Sequence, residues 1–228
     1  MKVTISRFGH LLCKSGLGVK LSAMTTANIN HGPTRGPADH DVRDQIVSAA
    51  TAHFRLYGYE KTTVSDLAKA IGFSKAYIYK FFESKQAIGE QICATCLREI
   101  ETDVRAAVDG ADGAPEKLRR LFKTIVASSM RLFFEDRKLF DIASSAASER
   151  WDSAQRYELR IQGILTDILR LGRENEDFER KTPLDETVSA IYLVLRPYLN
   201  PLLLQYSFDS VDHAPAQLSS LVLRSLSR

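Results

Sequence analysis

Cysteine is scarce in this sequence, at three residues in 228. An odd, small number in a chain of this length excludes a disulfide scaffold and fits a reducing cytoplasm. Long apolar runs are missing as well: nothing approaches the roughly 20 residues that span a bilayer, so no membrane partner is expected. No charge of one sign dominates. The net +3 comes from the first 34 residues, where Lys2, Arg7, Lys14 and Lys20 stand without an acid, and the rest of the chain carries 27 basic and 28 acidic groups. Affinity for a polyanion must then come from local placement rather than global charge. Catalytic patterns are also lacking. The histidines His10, His31, His40, His53 and His213 are scattered, and no phosphate loop, G-x-S-x-G or H-E-x-x-H is found, so neither an enzyme nor a cofactor is expected.

What is present is a 44% hydrophobic content, enough for the core of one large or two small domains. Residues 1–38 have no sustained period and are studded with Gly, Ser, Thr, Asn and Pro, which predicts a disordered tail. A secretory segment is a poor reading of it, because Leu11-Leu12-Cys13 is interrupted at once by Lys14. Two readings of the tail stay open. Translation starts at Met24, or the tail is a solvated arm whose Arg35 touches the minor groove or a phosphate.

Periodicity and caps predict three helices over residues 39–84. In the first, Val42, Ile46, Ala49 with Ala50, His53 with Phe54, and Tyr57 recur at spacings of three and four, and Gly58 supplies the positive φ that ends it. The second opens on Thr63 with Asp66 three residues on, a capping box, and buries Val64, Leu67, Ala68 and Ile71. Gly72-Phe73 breaks it. Ser74 then caps a short third helix from Lys75 to Tyr79, with Ile78 and Phe82 facing inward. Two short helices joined by a glycine turn and braced by a longer one make a helix-turn-helix.

On such a motif the amino end of the last helix addresses base edges. Lys75 can donate to guanine O6 and N7, Ala76 can meet a thymine methyl, and Tyr77 can stack or donate its hydroxyl. Core packing is the competing reading for Tyr77 and Tyr79. The free amides at Thr62 and Thr63 favour a phosphate, and Arg43 and Ser74 complete the DNA-facing set.

The ordered run Thr62-Thr63-Val64-Ser65-Asp66-Leu67-Ala68, then Ala70-Ile71-Gly72-Phe73-Ser74, then Tyr77-Ile78-Tyr79-Lys80-Phe81-Phe82-Glu83-Ser84-Lys85 resembles the DNA-binding signature of the TetR/AcrR family of bacterial regulators, over about residues 42–90. The resemblance implies phosphate contacts from Tyr79, Lys80 and Lys85. It also implies a homodimer built from the last two helices and a palindromic double-stranded operator. An unknown small-molecule effector would shift the fourth helix and change the spacing of the recognition helices. Lys75-Ala76-Tyr77 departs from the family's usual small residue and threonine or serine ahead of the tyrosine, which bears on the operator sequence rather than on the fold.

From residue 85 the texture turns to longer helices. Ile88, Ile92, Cys96, Ile100, Val104 and Val108 recur at strict fours, predicting a rod from Lys85 to Val108. Gly110 to Pro115 reads as a linker into a fifth helix carrying Leu118, Leu121, Phe122, Ile125, Ser129, Leu132 and Phe133 on one face. A short helix over 139–147 follows, then a long one from Glu149 stopping at Gly172, and a polar loop from Arg173 to Thr182. An eighth helix begins at Pro183 and should kink or break at Pro197 and Pro201; a last one, Pro215 to Leu226, offers Leu218, Leu221, Val222 and Ser225 on one side.

Residues 85–228 are therefore expected to bind ligand and to dimerise. Phe133, Phe134, Trp151, Tyr157, Tyr192 and Tyr198, with Arg150 and Arg196 as polar handles, suit an apolar pocket with a few oriented polar groups. The competing reading is that they fill the bundle core or the dimer seam. Trp151, beside Arg150, is the best single candidate for a pocket wall or gate. Cys93-x-x-Cys96 invites a thiol-sensing or metal reading, yet it lacks two further ligands at zinc spacing, and no metal is expected. The chain reads as an all-α protein: an N-terminal helix-turn-helix domain followed by a helical effector-binding and dimerisation domain. The function this implies is a ligand-released homodimeric repressor, with a nucleoid-associated or cell-cycle DNA-binding factor lacking an effector as the alternative.

Overall fold

The apolar spacing of the sequence becomes ten α-helices and one 3-10 turn in the computed structural model, which describes residues 39–227 and has no strand among them. The tail expected to be disordered, the alternative start at Met24 and Arg35 lie outside the described residues.

The first helix, α1 (Asp39–Tyr57), buries Val42, Ile46, Ala50 and Phe54 at every fourth position. Tyr57, expected on that face, is exposed instead and stacks on His53 with ring centroids 4.5 Å apart. Gly58, at φ 87°, turns the chain so that Tyr59 takes the buried place, edge-on to Phe54 at 5.2 Å. Helices α2 (Val64–Ile71) and α3 (Lys75–Tyr79) have the predicted bounds and caps. Between them Gly72, at φ 79°, ends α2 in a left-handed conformation that a Cβ would disfavour.

Helix α4 (Lys85–Asp109) packs against α1 at its start and against the rest of the chain thereafter. Its predicted stripe holds at Ile88, Ile92, Ile100, Val104 and Val108, but Cys93 is buried where Cys96 was expected, and Cys96 is half-buried. Cys93 and Leu97 join the buried side, which is therefore wider than the four-residue stripe alone.

The remaining elements are α5 (Ala114–Glu135), α6 (Arg137–Ser148), α7 (Asp152–Glu174), α8 (Leu184–Leu199), α9 (Pro201–Leu204), a 3-10 turn (Phe208–Ser210) and α10 (Ala214–Leu226). Helix α7 departs from expectation at both ends. It starts at Asp152 because Arg150, at φ 57°, closes the α6–α7 turn. It runs on through Gly172, whose missing side chain admits the Phe178 ring rather than ending the helix. Helix α8 passes through Pro197 and stops two residues later. The break falls at Asn200, which precedes Pro201 and is therefore pushed to extended backbone, φ −92° and ψ 117°; its Oδ1 accepts from Leu202 N at 2.9 Å to start α9.

One continuous apolar core runs from Val42 to Leu226, with α4, α5, α7 and α8 packed on one another and α10 laid against α5. Each fully buried Leu or Ile in it contributes about 1.5–3 kcal/mol. On α10 the buried residues are Ala214, Ser219, Val222 and Leu226; of the four expected to share one side, Val222 is buried, Leu218 half-buried, and Leu221 and Ser225 exposed. No helix of the described residues is long and apolar enough to cross a membrane.

Candidate nucleic-acid interface

Two caps set the geometry of the helix-turn-helix. Thr63 N and Thr63 Oγ1 donate to Asp66 Oδ2 at 2.9 and 2.7 Å, while Asp66 N donates back to Thr63 Oγ1 at 3.2 Å. The hydrogen bonds from Thr63 hold the Asp66 carboxyl below its usual range. At the next helix Ser74 Oγ accepts from Tyr77 N at 3.1 Å. Both helices therefore begin with their free amides fixed in direction.

Helix α3 is sharply two-sided. Ile78 is fully buried and Phe82 nearly so, as predicted, whereas Lys75, Ala76 and Lys80 are exposed and Tyr79 is 44% exposed. The Lys75 ammonium lies 5.8 Å from the centroid of the Tyr79 ring. Tyr77 is only half-exposed. Its ring stands edge-on between Phe73 at 5.0 Å and Phe81 at 5.3 Å, with the Lys80 ammonium 5.6 Å above it, so the ring is part of the packing that holds α3.

Beyond the caps at Thr63 and Ser74, three further residues of the expected DNA-facing set have internal hydrogen-bond partners. Thr62 is 2% exposed and its hydroxyl donates to Gly58 O at 2.8 Å; the amides expected to be free at Thr62 and Thr63 are paired as well, with Tyr59 O at 3.2 Å and Asp66 Oδ2 at 2.9 Å. Arg43 reaches across from α1 to donate to Phe81 O at 2.5 Å and lies 4.4 Å over the Phe82 ring. Lys85 donates to Tyr59 O at 3.1 Å, its ammonium 4.2 Å over the Tyr59 ring. The spacing that places these residues near the DNA face cannot show that a carbonyl 38 or 26 residues away takes the donor first.

The same region is fastened to the helices behind it by contacts that sequence spacing does not signal. Arg55 Nε meets Asp136 Oδ2 at 2.6 Å. Trp151, expected to wall or gate a ligand pocket, is instead 2% exposed and packs edge-on to Tyr59 at 5.6 Å, with its Nε1 donating to Glu149 Oε2 at 2.8 Å. Gly89 lies at the same junction: a Cβ there would come within 2.9 Å of the Tyr59 ring and 3.0 Å of the Trp151 ring.

The remaining ligand candidates fall into separate places. Tyr157 and Tyr198 line a cavity of about 20 Å³ among the core helices; the Tyr157 hydroxyl is buried without a hydrogen-bond partner, and Tyr198 shares a hydrogen bond with Ser210 at 3.3 Å. Phe133 packs on Phe140 and Phe208 at 4.7 and 4.4 Å, while Phe134 is largely exposed. Arg150 and Arg196 come together along a groove of about 690 Å³. Tyr192 is half-buried on α8, and burial raises its phenol above the usual range. Burial likewise pushes the Cys93 thiol up to about 11 and the Cys96 thiol to about 12, so neither is a ready thiolate.

Comparison with known proteins follows this division. A family model described as bacterial regulatory proteins, tetR family, matches residues 46–92, and one described as tetracyclin repressor-like, C-terminal domain, matches residues 114–218. The uncharacterized HTH-type transcriptional regulator YhgD of Bacillus subtilis is 30% identical over 86 residues, covering 38% of this chain and 45% of that protein. The biofilm operon icaADBC HTH-type negative transcriptional regulator IcaR of Staphylococcus aureus is 38% identical over 56 residues, covering 25% of this chain and 30% of that protein. The chain thus spans less than half the length of these curated relatives. The crystal structure of the TetR family transcriptional regulator PfmR from Thermus thermophilus is similar over 80% of this chain and 99% of that one, with 28% identity and a TM-score of 0.54. With its amino-terminal helix-turn-helix and the helical region behind it both matched, the chain belongs to the TetR family of DNA-binding transcriptional regulators.

Proposed function

We propose that this protein is a homodimeric repressor in the cytoplasm that holds a palindromic operator with residues 39–84 and releases it when a small molecule occupies residues 85–228. The observation that carries the reading is the sidedness of α3, where Ile78 is anchored while Lys75, Ala76, Tyr79 and Lys80 face outward. Lys75 and Ala76 then read base edges, and Tyr79 and Lys80 meet phosphate, on a helix whose start is fixed by the Ser74 cap. Tyr77 contributes chiefly by holding α3 in place. Thr62, Arg43 and Lys85 act through the fold, since their polar groups have internal partners.

A five-residue helix is about 7.5 Å long and reads only a few base pairs, so two copies are required. Leu193 on α8 and Leu221 on α10, 59% and 55% exposed, support a second copy docking on the last two long helices. The repressing sign is supported by the naming of IcaR as a negative regulator.

The test is fluorescence anisotropy on DNA flanking the protein's own gene, over a salt series, for the wild type and Tyr79→Ala. Tight, palindrome-dependent binding that Tyr79→Ala weakens is the expected result. Binding without sequence preference in both proteins would sink the reading.

A further inference from the structure

We infer that the groove between the α6–α7 turn and the adjoining ends of α8 and α9 binds an anionic amphipath through Arg150 and Arg196. This rests on the reading of the chain as an effector-responsive regulator and names the chemical class of its effector.

The groove measures about 690 Å³, inside the range of about 300–1,000 Å³ that holds small ligands. Its two guanidinium groups come from different elements, Arg150 from the turn and Arg196 from the last turn of α8. Most arginines of the C-terminal helices are spent on carboxylates: Arg105 and Arg160 share Glu101, Arg131 meets Asp103, and Arg156 meets Asp152. Among the described residues Arg150 and Arg196 make no such pair. Glu158 is the acid in the groove's lining, and it lies beside the Tyr192 hydroxyl. The lining therefore keeps an excess of positive charge, which a planar guanidinium directs at a carboxylate or phosphate. Leu159 and Leu203, both exposed and both in the lining, offer surface to an apolar tail.

The second observation is backbone. Arg150 sits at φ 57°, a conformation uncommon for a residue with a side chain and found disproportionately at functional sites. Gln155 Nε2 pins it by donating to Arg150 O at 2.7 Å. The next residue is Trp151, whose ring fills the notch over Gly89 and meets Tyr59, and Tyr59 O accepts from Lys85 at the start of α4. An anion that draws on Arg150 therefore pulls on a packed chain leading to α4 and to the helix-turn-helix.

Trp151 is the single tryptophan of the chain, so its fluorescence reports the groove without DNA. Full-length protein is titrated with decanoate, decyl phosphate, decyltrimethylammonium and decanol, each below micelle formation. The expected result is a saturable change with one or both anions and none with the cation or the alcohol, the tighter anion telling carboxylate from phosphate. Arg196→Gln should weaken that binding at least tenfold, and Arg196→Lys should restore part of it, with unchanged circular dichroism in both. An equal response to decanol, no response to any of the four, or unchanged binding by Arg196→Gln would overturn the site. A change of oligomeric state in Arg196→Gln would overturn it too, since the groove would then be a seam between copies. Operator binding measured in parallel separates the two readings: intact DNA binding without anion binding defeats only the groove, and anion binding without operator binding defeats only the repressor.

Discussion

Arg55 and Asp136 meet at 2.6 Å across 81 residues of sequence, joining the end of α1 to the first residue before α6. Asp136 has two duties there, because its Oδ1 also accepts from Leu139 N at 3.3 Å and so caps α6. The pair is partly exposed, where an ion pair contributes about 0–1 kcal/mol, while loss of a capping side chain costs about 0.5–2 kcal/mol. Asp136→Ala should therefore destabilise the protein more than Arg55→Ala, with Asp136→Asn close to Arg55→Ala because the amide oxygen keeps the cap. Urea denaturation of the three variants checks the order.

Two glycines should respond to alanine in opposite directions. Gly163, in the middle of α7, has open space where an alanine methyl would sit, with nothing within 4 Å, so Gly163→Ala should gain up to about 1 kcal/mol of helix propensity. Gly89 has the Tyr59 and Trp151 rings within 2.9 and 3.0 Å, and overpacking of about 1–3 kcal/mol outweighs the same gain. Denaturant midpoints read both signs, and a shift in Trp151 emission should accompany Gly89→Ala alone.

Two lysines that look alike in the sequence should separate on DNA. Lys80 is exposed at the end of α3, and Lys80→Ala should weaken binding evenly across sequences and lower the salt slope by about 1. Lys85 is held on the Tyr59 carbonyl and ring, so Lys85→Ala should lower stability and leave the slope near the wild-type value. A salt series by anisotropy, with thermal melts beside it, distinguishes them; a full unit lost at Lys85 would show that its ammonium leaves Tyr59 for phosphate.

Base should destabilise the fold through the two thiols. Their ordinary value is 9.0, and burial raises Cys93 to about 11 and Cys96 to about 12. Between pH 9 and these values the unfolded chain binds fewer protons than the folded one, so stability is whole below pH 9 and falls as pH rises through the window. Cys93→Ser/Cys96→Ser should flatten that limb in chemical denaturation from pH 8 to 11. For the same reason native protein should react slowly with a thiol-directed disulfide reagent at pH 8 and rapidly once unfolded.

Much of this protein is local chemistry, and local chemistry can be read along the chain. The threonine and serine caps, the glycine turns and the apolar spacing located the three helices of the DNA-binding region, because each signal depends on neighbours no more than four positions away. The inward Ile78 and Phe82 and the outward Lys75, Ala76 and Lys80 followed from the same periodicity. Tertiary structure decided which polar groups remain free. Thr62, Arg43 and Lys85 carry the right chemistry for DNA, yet Gly58 O, Phe81 O and Tyr59 O take their donors. Trp151 was placed against Tyr59 rather than in a pocket, and Arg150 and Arg196 were brought to one groove from positions 46 residues apart. Side-chain partners at such separations depend on how helices pack, and the period of a single helix carries no record of what lies across from it.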